Sequence, residues 1–186
     1  ETAYMGLGCF PPDDEKYLGV LSNTNFKTSS ALRECDLFIT LGARFNSRYT
    51  AFSTLKKRKT AVLQIDVDRA EIDKNLMTSA NVVGDLKVSL EKLLPLVGEK
   101  EPAEWEYTSL PDLEEDNRGI RIIKALNQKL GAQTTITTDV GLHQEWAAHN
   151  CKVYYPDRFL TSGGLGAMGF GMGAAIGAHF ASGDTC

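Results

Sequence analysis

The chain has 186 residues, 42% hydrophobic and 24% charged, with a formal net charge of -4 at pH 7. That make-up suits a globular protein of one large domain or parts of two. It leaves no basic footprint for nucleic acid, and no apolar run has the length of a membrane span or the pattern of a signal peptide.

Residues 1–25 are rich in loop formers, among them Gly6, Gly8, Pro11, Pro12 and Gly19. Thr28-Ser-Ser-Ala-Leu-Arg-Glu34 predicts a short helix with a hydroxyl cap. Asp36-Leu-Phe-Ile-Thr-Leu-Gly42 is a continuous apolar run, the pattern of a strand buried on both faces. Thr60-Ala-Val-Leu-Gln-Ile-Asp66 reads as a second such strand and Ala80-Asn-Val-Val-Gly84 as a short third. Asp85 then caps an amphipathic helix from Leu86 to about Leu96, with Leu90, Leu93 and Leu94 facing inward. Strands alternating with helices predict a parallel α/β sheet, which binds ligands at the carboxyl ends of its strands.

Residues 98–117 are acidic, contain proline and lack periodicity, as a linker does. Residues 118–130 fit a helix with Ile122, Ile123, Leu126 and Leu130 on one face, stopped at Gly131. A strand over 134–138 follows, and a second α/β unit begins. Lys56-Lys-Arg-Lys59 reads as a solvated turn. The chain starts as if mid-protein and stops where another strand is due, so a piece of a longer polypeptide is expected.

Cys9, Cys35, Cys151 and Cys186 form no CxxC pair. This spacing argues against zinc and against a disulfide framework, and favours reduced thiols in a cytoplasmic compartment. Cys35, before an apolar strand, is expected in the core. His143, His149 and His179 show no metal-ligand spacing with the cysteines.

Two glycine turns stand out. Thr135-Ile-Thr-Thr-Asp-Val-Gly-Leu-His-Gln-Glu-Trp146 breaks at Gly141 from a β-rich run into a helix. Thr161-Ser-Gly-Gly-Leu-Gly-Ala-Met-Gly-Phe-Gly171 leads into another helix, where Gly169, Gly173 and Gly177 recur on one face and would admit a close backbone. A glycine turn before a helix frees N–H groups and adds the positive end of the helix dipole, which suits a phosphate. The plainer reading of either turn alone is tight packing.

In order and spacing, these two segments resemble the opening of the cofactor-binding domain of thiamine-diphosphate enzymes of the acetohydroxyacid (acetolactate) synthase large-subunit type. The resemblance implies that Val140, Gly141 and His143 touch the cofactor's diphosphate, and that Gly166 and Met168 hold its aminopyrimidine ring. Leu142 stands where the family usually has glutamine, which removes one side-chain donor. The metal ligands and the catalytic glutamate of the family fall outside this chain, and Asp184 is not assigned to Mg2+. No residue here is read as catalytic or as a metal ligand, and the chain alone is expected to be inactive. For His143 the plainer alternative is a polar helix start, and for Met168 a core gap-filler.

The first part resembles the family's central domain, which carries FAD in the biosynthetic synthases. Gly42-Ala-Arg44-Phe-Asn-Ser-Arg48 matches its arginine motif, Asp66 is placed for a ribose hydroxyl, and Gly84 and Asp85 match an adenosine contact. Asn46-Ser47 replaces an Asp-Asp pair, and Asn23-Thr-Asn25 replaces a Met-His-Gly loop. The alternative is that Arg44 and Arg48 form surface ion pairs and Asp66 caps a turn.

The resemblance implies an α/β fold of doubly wound parallel-sheet units: a central domain over 1–97, a linker over 98–117, and the start of the cofactor domain over 118–186. It implies an enzyme that joins a hydroxyethyl carbanion from pyruvate to a second 2-keto acid in branched-chain amino acid synthesis. It also implies a homodimer or homotetramer, with a regulatory subunit compatible. Two other readings stay open: a different thiamine-diphosphate decarboxylase or carboligase, and a non-catalytic nucleotide-binding α/β module.

Overall fold

A computed structural model describes residues 1–21, 26–45, 60–98 and 117–183. The chain forms two compact units, one of Ser22–Pro111 and one of Glu1–Leu21 with Asp112–Cys186. The sequence features at 23–25, 46–48 and 56–59, most of the linker, and Asp184 lie outside the described residues.

In the unit of Ser22–Pro111, α1 (Phe26–Glu34) leads to β1 (Leu37–Leu41), followed by β2 (Ala61–Asp66), β3 (Ala80–Val83) and α2 (Leu86–Val97). The strands form a parallel sheet in the order β1-β2-β3, with Leu41 beside Ile65 and Asp66 beside Val83. The central strand is the most buried, with Val62, Gln64, Ile65 and Asp66 out of solvent. Ala31 and Leu32 of α1 are buried as well.

β1 corrects the expectation of a strand buried on both faces. Leu37, Ile39 and Leu41 are nearly half exposed, while Thr40 between them is buried. Side chains alternate across a strand, so Leu37, Ile39 and Leu41 share one face, and that face is half open to solvent while the face of Thr40 is covered. In α2, Leu90 and Leu93 are partly buried, but Leu94 faces solvent. Cys35 is half-buried, and its Sγ donates to Leu32 O at 3.7 Å.

In the second unit, α3 (Arg118–Asn127) precedes β4 (Ile136–Thr138), α4 (Leu142–Asn150), β5 (Phe159–Thr161) and α5 (Phe170–Ser182). β4 and β5 pair in parallel, Thr138 beside Thr161. Leu7, Val20, Ala147, Ala148, Val153 and Phe159 form the core. Ile123 packs against it, while Ile122 and Leu126, expected on the same face, are half exposed. A Cβ on Gly119 would meet the Trp146 ring at 2.1 Å, so α3 lies directly on α4.

The segment 1–21 belongs to this second unit. Thr2 bridges to Val20, and Leu7 and Val20 are buried in the core. Asp13 takes hydrogen bonds from Lys152 and from Tyr154, the latter at 2.9 Å. These bonds hold the Asp13 carboxyl below its ordinary range, the Lys152 bond most strongly.

Candidate functional site

The two glycine turns meet at one end of the β4-β5 pair. Thr138 Oγ1 and Thr161 Oγ1 are 2.8 Å apart, and Gln144 Nε2 donates to Thr161 Oγ1 at 2.7 Å. All three side chains are buried. The first turn of α4 is therefore pinned to both strands by a satisfied polar cluster.

Gly141 precedes that turn with φ 142° and ψ -168°, a conformation in effect reserved for glycine. Gln144 N and Glu145 N donate back to Gly141 O. No protein group among the described residues accepts the N–H of Gly141, Leu142 or His143. These donors stand at the N-terminus of a nine-residue helix. That geometry fits a diphosphate: unmet N–H groups and the positive helix end favour an anion. Leu142 is 64% exposed, and the His143 side chain is exposed beside Gly141.

The loop of residues 162–169 closes on itself. Gly166 N donates to Ser162 O at 3.1 Å, and Ala167 N donates to Ser162 Oγ at 2.8 Å. A Cβ on Gly166 would sit 3.9 Å from Val140 Cγ1, so this loop lies beside the first turn. The structure thus brings Val140, Gly141, His143 and Gly166 together. Met168 lies on the same loop but is 90% exposed, with no core packing of the kind a gap-filler would have.

The sequence reading passed over Asp139. Its carboxylate accepts the Val140 N–H at 2.9 Å and the Gly169 N–H at 2.8 and 3.1 Å. These bonds, that from Val140 first, hold its carboxyl below the usual range. An aspartate at a strand end ahead of a glycine was the available signal.

The bare helical face of α5 is open among the described residues. A Cβ on Gly169, Gly173 or Gly177 would find nothing within 4 Å. The close approach is at Gly171, whose Cβ would stand 2.8 Å from Asp139 N and 3.0 Å from Thr138 C. Gly171 lies roughly 200° round the helix from Gly169, so β4 packs against the opposite side.

In the other unit, the loops after all three strands converge. Gly42 N donates to Ile65 O at 2.8 Å, and Gly84 N donates to Asp66 O at 3.0 Å. Asp66 is buried, and its Oδ1 accepts from Asp68 N at 2.9 Å, which is a turn cap. Asp85 caps α2 through Val88 N at 3.0 Å. A Cβ on Gly42 would lie 3.8 Å from Leu86, at the start of α2. Gly42, Asp66, Gly84 and Asp85 thus share the carboxyl end of one sheet, with Arg44 exposed after β1 and Arg48 outside the described residues.

This pair of folds, with glycine turns at the carboxyl ends of parallel strands, defines a cofactor-binding α/β class. Residues 2–93 match the thiamine pyrophosphate enzyme central domain, and residues 139–185 match the thiamine pyrophosphate enzyme C-terminal TPP binding domain. The chain belongs to the thiamine pyrophosphate enzyme family.

Within it, the chain is similar to acetolactate synthase large subunits. It is 38% identical to the "Probable acetolactate synthase large subunit" of Methanocaldococcus jannaschii, over 97% of this chain and 34% of that protein. It is 34% identical to the isozyme 2 large subunit of Escherichia coli, over 95% of this chain and 34% of that protein. For the large subunit of Lactococcus lactis the figures are 35%, 97% and 33%. The chain thus spans about a third of the length of these curated relatives.

Proposed function

We propose that this chain is the part of an acetolactate synthase large subunit that holds one side of thiamine diphosphate. The observation that carries this reading is the set of unmet N–H groups at Gly141, Leu142 and His143 beside the Gly166 loop. When bound, the cofactor supplies the electron sink that lets a 2-keto acid lose CO2 and its remainder join a second 2-keto acid. The residues here bind and orient. The 140–143 turn holds the diphosphate, with the Val140 side chain against Gly166. Gly166 and Met168 would support the pyrimidine end and fix its orientation relative to the diphosphate. Leu142 adds no donor, and its exposed side chain leaves the diphosphate to backbone groups.

Mg2+ is proposed to accompany the diphosphate through groups other than those described here. Among the described residues no cluster of three His, Cys, Asp or Glu could hold a metal ion. FAD is proposed for the other unit, supported by Gly42, Asp66, Gly84 and Asp85 at the carboxyl end of one sheet, with Arg44 and Arg48 as phosphate partners. The second oxygen of Asp66 would serve a ribose hydroxyl, since the first caps the turn. A homodimer or homotetramer, a regulatory subunit and a cytoplasmic location complete the proposal.

Pyruvate supplied to the whole protein with thiamine diphosphate, Mg2+ and FAD tests it. Acetolactate among the products supports the reading. Acetaldehyde and CO2 alone would replace it with a simple decarboxylase. Leu142 favours one rival, a non-catalytic module, and pyruvate left unconsumed would select that rival.

A further inference from the structure

Helix α5 starts at a residue that cannot cap it. Its N-cap is Gly169, with no side-chain bond, and its first turn has no acidic residue. The open N–H of Gly169 is met instead from another element, by both carboxylate oxygens of Asp139. A negative charge at a helix N-terminus is favourable there. The same carboxylate also holds the Val140 N–H of its own turn. Two residues into α5, the Gly171 backbone touches Asp139 N and Thr138 C so closely that a Cβ has no room. These neighbours are main chain and cannot swing aside. One carboxylate and one bare glycine therefore clamp the two glycine turns at a fixed spacing.

We propose that Asp139 is a positioning residue that sets the distance between the diphosphate-holding turn at 140–143 and the pyrimidine-holding loop at 166–168. This rests on the cofactor reading above. The ligand has two ends, and each turn grips one. Without the clamp each grip survives alone, but the two no longer fit one molecule. An asparagine here keeps one acceptor and must set its NH2 group against the Val140 or the Gly169 N–H, so the side chain no longer holds both turns without a clash.

The test compares a two-ended ligand with a one-ended one. Thiamine diphosphate and inorganic pyrophosphate, each with Mg2+, are titrated calorimetrically into the whole protein and its D139N and G171A variants. The D139N variant is expected to bind thiamine diphosphate about tenfold more weakly, the loss of one charge-assisted hydrogen bond. Its pyrophosphate affinity is expected to stay within about twofold. G171A, which forces the same gap through the backbone, is expected to show the same selective loss. Equal loss on both ligands would make Asp139 a merely structural residue, and unchanged thiamine diphosphate binding would remove its role. Both results overturn the inference. If the unsubstituted protein binds neither ligand, the cofactor reading itself fails and takes the inference with it.

Discussion

Leu142 stands at the first position of α4 and is 64% exposed, so its side chain holds nothing together. Replacing it can therefore report on the ligand with little effect on the fold. L142Q places a side-chain amide at the helix end where the proposed diphosphate lies. Thiamine diphosphate affinity is expected to rise about threefold to tenfold, the worth of one added hydrogen bond to a charged acceptor. Unchanged affinity in a calorimetric titration would place the diphosphate elsewhere. The cysteines offer a second prediction. Burial pushes the Cys151 thiol up to about 11, so it stays protonated and unreactive until the pH approaches that value. Cys9 is exposed. Iodoacetamide at pH 8 is expected to label Cys9 well before Cys151, and mass spectrometry of the labelled peptides would reveal a reversed order. The residues that hold the two turns in place were the least legible in the sequence. Asp139 and Gly171 act through one clamp, and nothing in their spacing of 32 positions marks them as neighbours. Gly141 was legible because a single bare residue between a β-rich run and a helix has a local conformational meaning.

At the scale of elements, strands and helices with strong local signals were read well. The strands of the first unit differ from their expected limits by a residue or so, and Asp85 caps α2 as its position before an apolar helix suggested. D85A is expected to cost about 1 kcal/mol of stability, the typical worth of an N-cap side chain. Urea unfolding measures this, and an unchanged midpoint would show that the cap is redundant. β5 was not read at all. Phe159-Leu160-Thr161 is three residues long and follows Pro156 and Asp157, too short for any periodicity to show. Its role is fixed only by pairing, when Thr161 meets Thr138 and Gln144. The buried faces of β1 and α2 were overestimated for a related reason. Apolar composition states what could be buried, while the elements packed on each face decide what is.

At the scale of the whole molecule, the border in sequence and the border in space differ. The central-domain match runs over 2–93, yet residues 1–21 are packed with the later unit. Leu7 and Val20 complete its core, and Asp13 ties the segment to Lys152 and Tyr154. Contacts so far apart in the chain leave no trace in local pattern, which is why residues 1–97 read as one piece. The central proposal for the later unit is that its glycine turns form a cofactor cradle. The most direct test is a titration of the whole protein with thiamine diphosphate at saturating Mg2+, repeated on G141A. Saturable binding is expected, one cofactor per chain, and it weakens when a side chain is forced onto the φ 142° position. Binding that is absent, or that G141A leaves unchanged, would contradict the proposal.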